Sequence, residues 1–409
     1  MATVRIPPVL RPKTGGEGEV EAAGATVGEV LEALAAAHPE TRGQLFSEEG
    51  ELNRYVNVYL NDEDVRVLDG LQTAVAGSDT VVILPAMAGG SLKRAVASRL
   101  RESRATWVAH NLMHYRSLRR NADHYRQLEI EKPLVGSIAH RDIGRHSEEI
   151  PWLDVPDAAE QLAASVEAER FAPGTRSKLE GWIEDGYMVL EGHLSGPEVE
   201  GINSDLERQF EAGRIKYHPL GNRVVNAFEH SDPVRRAVTD PELLRLLSFI
   251  LGREVNLFQT IDFFVGSEQA AHSDSFHMTT EPKGYLIAIW VALEDVDPES
   301  GPVYYYPGSH KLPYVMTEDL GREDGEAGAA GKEARYAERI RSLVADHGLE
   351  PVEFTAKAGD VLIWHANLLH GGRGIARDGA SRKSLVAHYF GSGVLCYHEV
   401  TERPAVVRS

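Results

Sequence analysis

His272-Ser273-Asp274 is the stretch whose residue types and spacing point first to chemistry. The run Asn256–Val265 before it reads as a strand, and on an extended backbone residues two apart face the same side. The imidazole of His272 and the carboxylate of Asp274 can therefore grip one metal ion. A third ligand is needed, and WHANLLHGG offers His370, with His365 competing in the same stretch. Two histidines and one aspartate on one side of an ion form a facial triad. Three positions then stay open for a cosubstrate and oxygen, the arrangement of non-haem Fe(II) oxygenases. A structural zinc site would close all four positions, usually with cysteines, and the sequence holds one Cys.

These side chains need elements to carry them. Tyr285–Leu293 is an apolar run ending in EDVDP, a strand that enters an acidic turn. Gly301-Pro302 and the turn PGSHK at 307–311 follow. Val361–Trp364 is a strand, and His370 precedes a Gly-Gly turn. In SRKSLVAHYF, Arg382 and Lys383 are neighbours that an extended backbone directs to opposite faces.

His272-x-Asp274, Trp290 in IAIWVALEDVDPESGPV, PGSHK, His370 in LLHGG and Arg382 in SRKSLVAHYF together resemble the phytanoyl-CoA dioxygenase-like Fe(II)/2-oxoglutarate oxygenases. The resemblance runs from about Leu179 onward and opens with GWIEDGYMVLEGHLS. It implies a double-stranded β-helix, the jelly-roll or cupin-like fold, with flanking helices. It also implies Fe(II) on His272, Asp274 and His370, with 2-oxoglutarate and O2 as cosubstrates. The family pattern puts the third ligand in HGG, which leaves His365 as a packed or supporting histidine. Arg382 stands where the family holds the far carboxylate of 2-oxoglutarate, a task suited to a guanidinium fork. Trp290 matches a position beside the cofactor, although a tryptophan in an apolar strand is also ordinary core. His277 and His310 are left as candidates for substrate contact. The implied reaction is hydroxylation of an unactivated C–H in a small-molecule or acyl substrate. In related halogenases a small residue replaces the aspartate, so Asp274 argues for hydroxylation.

The first ninety residues form a separate pattern. Val4–Leu10 and Glu19–Ala23 read as strands, GEVLEALAAAHP as a helix with Val30, Leu31 and Leu34 on one face, and Tyr55–Leu60 and Asp79–Leu84 as further strands. The order β-β-α-β-β, with VNVYLNDEDVR, DGLQT and VVILPAMAGG, resembles the ubiquitin-like β-grasp sulfur carriers MoaD and ThiS. That resemblance implies an E1-like activating enzyme as partner and a tail, Gly89-Gly90, whose terminal carboxylate becomes a thiocarboxylate. Glycines suit a tail that threads a narrow active site. Here Ser91 follows, so Gly90 has no free carboxylate. Either a protease cuts after Gly90 and releases a working carrier, with the barrel a non-catalytic metal-binding module in the extreme form of this alternative, or the β-grasp domain stays attached for docking.

The expected organisation is α+β and multidomain: 1–90 β-grasp, 91–175 a basic helical connector, and 176–409 the oxygenase domain. Residues 92–128 of the connector look like one long helix or a broken pair, with Val96, Leu100, Val108, Leu112, Tyr115, Leu118 and Tyr125 at helical spacing. Helices are also expected over Pro197–Ala212 and Asp232–Phe249. Residues 312–351 read as an insertion, acidic and Gly/Ala-rich and then helical. It is either a substrate-facing lid or a plain surface loop. The net charge of −19 argues against nucleic acid or an anionic membrane as main partner. The lone Cys396 excludes a disulfide framework within the chain and fits a reducing cytoplasm. No run approaches a membrane span, and no signal peptide is expected.

Overall fold

The computed structural model describes residues 2–6, 8–15, 17–46, 52, 56–61, 63–65, 68–77, 79–85, 108, 111–217, 223–321, 329–377 and 380–406. The chain divides into two compact units, Met1–Ser103 with Tyr217–Gly221, and Arg104–Lys216 with Asn222–Ser409.

The first unit is a five-stranded sheet crossed by one helix. Strands β1 (Ala2–Arg5), β2 (Glu19–Ala22), β3 (Val56–Leu60), β4 (Glu63–Asp64) and β5 (Thr80–Pro85) lie in the order β2-β1-β5-β3-β4, with β1 and β5 parallel. Thr26 caps the helix Val27–Ala37 by accepting the Glu29 N–H. Its Val30, Leu31 and Leu34 are buried against Val4, Val58, Val81 and Ile83. This is the expected β-grasp, with two differences. The strand foreseen over Val4–Leu10 ends at Arg5, and Pro8–Thr14 turns as a 3-10 helix, because proline fixes φ and has no N–H for a ladder. A two-residue β4 pairs with β3 beyond the expected strand set. Gly89 and Gly90 lie outside the described residues, as does most of the expected connector helix up to residue 110.

The described part of that connector is broken. Tyr115–Leu118 and Ala122–Gln127 are short helices joined by a 3-10 turn. Of the spaced apolar residues described there, Leu118 and Tyr125 are buried, whereas Val108, Leu112 and Tyr115 are exposed. Tyr125, Leu128, Ile130, Ile138 and Ile143 pack on Leu395 and Tyr397, which places the connector against the end of the chain.

The second unit is built around two sheets facing each other. The larger is antiparallel, in the order β6 (Tyr187–Leu190), β13 (Val361–His365), β10 (Leu286–Ala292), β15 (Ser384–Gly391), β8 (Val255–Phe263), β7 (Arg223–Val225). The smaller runs β12 (Val352–Phe354), β11 (Val303–Tyr305), β14 (His370–Gly372). Trp290, Leu362, Trp364 and Val386 of the large sheet pack against Val303, Tyr305 and Phe354 of the small one, the filled interior of a jelly roll. A third sheet holds β9 (Thr279–Glu281), β16 (Leu395–His398) and β17 (Arg403–Pro404). Helix Pro241–Leu251 packs on β8 and β10. The single helix expected over Asp232–Phe249 is two, Asp232–Val238 and Pro241–Leu251. Asp240 caps the second by accepting the Leu243 N–H, and Pro241 cannot continue the first. Helix Gly196–Glu211 stands within one residue of expectation. No described helix is long and apolar enough to cross a membrane.

Candidate metal centre

His272 and His370 are brought together by backbone. They form an isolated antiparallel bridge, His272 N–H to His370 O and His370 N–H to His272 O, both 2.9 Å. Their rings come to rest 4.4 Å apart. The bridge demands close approach of the chain at 267–270, and HGG supplies it. A Cβ on Gly371 would stand 2.7 Å from the Gln269 carbonyl, and one on Gly372 2.6 Å from Ser267 Oγ. The PGSH turn acts on the same strand, because Ser309 Oγ accepts the Leu369 N–H at 2.8 Å. Asn367 donates to the carbonyls of His310 and Leu312.

Asp274 arrives differently. Ser273 is extended, and Asp274 opens a one-turn helix to His277. Its Oδ1 lies 4.0 Å from His272 Nε2 and 3.7 Å from His370 Nε2. Ligand atoms of His272, Asp274 and His370 all lie within 4.8 Å of one another, so one ion can meet all three. The other oxygen, Oδ2, accepts the Trp364 indole N–H at 2.8 Å and lies 3.6 Å from His388 Nε2. Trp364 and His388 flank Ala288 in one cross-strand row of the large sheet. The small side chain between them leaves room for both to lean over the carboxylate.

The ring orientations suit metal binding. His272 Nδ1 is 2.9 Å from the Ala270 carbonyl and His370 Nδ1 is 3.0 Å from that of Leu368. A protonated Nδ1 donates to each carbonyl, and Nε2 is left as the ligand atom. Burial, then the neighbouring imidazoles of His370 and His277, hold His272 well below the usual histidine range. Burial alone would raise Asp274, but His370, His388 and His272 outweigh it and keep the carboxylate ionised. Both states are those that ligation requires.

Of the other sequence candidates, His277 stands next to the pair, its ring 5.4 Å from His272, and burial lowers its pKa to about 4. His310 and His365 share a different neighbourhood, ring to ring at 5.5 Å, with His365 Nε2 on Asp154. Arg382 is buried beneath the barrel wall. Its Nη1 donates to the Gly301 carbonyl at 2.8 Å, its guanidinium lies 5.8 Å over the Trp290 ring, and its Nε has no partner. No described carboxylate pairs with it, and burial lowers its pKa to about 10. A buried guanidinium with an orphaned N–H suits a small carboxylate ligand. Trp290 is buried with its indole N–H also unpartnered. Lys383 points to the other face, onto Glu207. Sequence reading missed Trp364, His388 and Tyr336. The Tyr336 hydroxyl accepts the Ser273 N–H at 2.8 Å, and its ring stacks on Phe276 at 3.7 Å. It comes from the insertion's helix, Ala329–Asp346, so that helix packs on the turn that carries Ser273, Asp274 and Phe276.

The phytanoyl-CoA dioxygenase (PhyH) family matches residues 182–384, a span that contains His272, Asp274, His370 and Arg382, and the ThiS family matches residues 4–90. The chain joins a ThiS-family domain to a phytanoyl-CoA dioxygenase-family domain. The ThiS-family domain is 51% identical over 90 residues to the sulfur carrier protein CysO of Mycobacterium tuberculosis, which spans 22% of this chain and 97% of that protein. The dioxygenase-family domain is 27% identical over 223 residues to the ectoine dioxygenase of Sphingopyxis alaskensis, covering 50% of this chain and 72% of that one. The solved structure of EctD from S. alaskensis in its apoform aligns with 58% of this chain and 83% of its own, at 24% identity and a TM-score of 0.45.

Proposed function

We propose that the dioxygenase-family domain is an Fe(II)- and 2-oxoglutarate-dependent hydroxylase acting on an unactivated C–H of a small-molecule or acyl substrate. The observation that carries this is the convergence of His272, Asp274 and His370 ligand atoms within 4.8 Å of one another. Iron with 2-oxoglutarate and O2 supplies oxidative decarboxylation to succinate and CO2, coupled to insertion of one oxygen atom into the substrate C–H. The chain's own residues bind and orient. The carbonyls of Ala270 and Leu368 fix the tautomers of His272 and His370, so both rings offer Nε2. Trp364 holds Oδ2 of Asp274, leaving Oδ1 as the nearer atom to both imidazoles. Arg382 binds the far carboxylate of 2-oxoglutarate through its fork, with Trp290 as the wall beneath it. Leu362, Val386 and Trp364 line a dry interior, which strengthens that ion pair.

The test is succinate formation from 2-oxoglutarate by the full chain with Fe(II) in air, without added substrate. It is expected in the native sequence and absent in His272→Ala and His370→Ala, which also lose iron. Full iron stoichiometry in both variants would overturn the assignment.

A second reading applies to the N-terminal unit and is favoured by its likeness to CysO across nearly that protein's whole length. The unit acts as a sulfur carrier once cleavage after Gly90 frees the glycine carboxylate, with an E1-like enzyme as its activating partner.

A further inference from the structure

We propose that His140, His146 and Glu281 form a second metal site, separate from the His272 cluster, that takes a zinc-class divalent cation. Ligand atoms of the three lie within 4.8 Å of one another. His146 Nδ1 is 3.3 Å from Glu281 Oε2. Two ligands on a tetrahedral zinc, each about 2.0–2.1 Å from the ion, stand about 3.4 Å apart, so this pair already has the spacing. The His140 and His146 rings are 4.2 Å apart. Two imidazoles with a carboxylate are a donor set suited to zinc.

Of the three, Glu281 is oriented from behind as a metal ligand requires. Glu281 is 2% exposed, and its other oxygen accepts the Ser147 N–H at 2.7 Å, which turns Oε2 toward the imidazoles. No described lysine or arginine pairs with this buried carboxylate, and a buried charge needs compensation. His140 is buried, its backbone N–H donates to Glu399 at 2.8 Å, and its Nδ1 has no partner. Glu318 Oε1 lies 3.4 Å from His140 Nε2, an acidic neighbour on the outer side of the cluster. One group competes: Lys283 Nζ lies 3.2 Å from the same His140 nitrogen, and an ion would displace it. The His146 side chain is 44% exposed and gives the ion a way in. The bound ion would join the connector to strand β9.

Zn(II) binding to the metal-free full chain, at buffered micromolar free Zn(II) and read by native mass spectrometry, tests this. The native sequence should bind at both clusters, and His146→Ala and Glu281→Gln should each lose one equivalent. His146→Ala alters a half-exposed side chain, so its fold is not at risk. In the His272→Ala/His370→Ala background one equivalent should remain, and adding His146→Ala should remove it. Lys283→Ala should tighten the site several-fold. Undiminished stoichiometry in both His146→Ala and Glu281→Gln overturns the proposal. A single equivalent lost in His146→Ala but kept in His370→Ala upholds this site and refutes the His272 one.

Discussion

Asp274 is braced at Oδ2, by Trp364 and His388, on the side away from the two imidazoles of His272 and His370. Removing the indole donor with Trp364→Phe, which preserves the ring in the interior, should weaken metal binding by about 10–100-fold, the usual cost of losing a partner that orients a ligand. Equilibrium competition against a chelator measures it. Arg382→Ala should leave metal stoichiometry unchanged and raise the apparent Michaelis constant for 2-oxoglutarate tens-fold or more. Truncating one side of a buried charged pair costs about 2–5 kcal/mol. An unchanged constant moves the role to Arg373, which here lies over Tyr304 and pairs with Glu353. At this scale much was legible beforehand. His272, Asp274 and His370 stand out by type and spacing, and their donor atoms come within 4.8 Å of one another. His388 and Trp364 were not legible, because they reach Asp274 only through the register of strands β13, β10 and β15. Nothing local to either residue announces that pairing.

The insertion helix shows the same limit for an element. Its amphipathic character is written in Tyr336, Ile340 and Leu343, but what that face covers depends on the barrel. Its helix packs over the turn at Phe276, and the Tyr336 hydroxyl takes the Ser273 N–H one residue before Asp274. Tyr336→Phe keeps the stack on Phe276 and strands that buried N–H, at a cost of about 1–3 kcal/mol. The melting temperature should fall by a few degrees, and metal affinity should fall with it. A melt matching the native protein would show that the loop holds itself. The split of 232–251 into two helices was legible in principle, since Asp240-Pro241 is a cap followed by proline at the first helical position. The apolar periodicity on both sides masked it.

For the whole molecule, acid is the condition that unites scattered sites. Burial, followed by the field of His365, lowers His310 from 6.5 to about 3, and burial followed by Arg403 does the same for His398. Both stay neutral when folded, whereas the unfolded chain protonates them below about pH 6.5. Stability present above pH 6.5 should therefore be lost steadily as the pH falls from 6.5 toward 3. Melting temperatures across that range check it, and a flat profile would mean that these rings are solvated. At the same scale, cleavage at Gly90-Ser91 predicts a fragment ending at Gly90, or its heavier thiocarboxylate, in intact-mass spectra from native cells. Full-length chain under all growth conditions would leave the domain a tether. One quiet residue makes that question easy to follow in real time. The chain's single thiol, Cys396, is shut inside the third sheet, and burial raises it to about 12, so it resists alkylation at neutral pH. Any cysteine engineered onto the surface would then be the sole reactive handle of its kind. A dye placed on such a cysteine in the first unit would label the chain without background, and scission would be read as the dye moving to a small fragment.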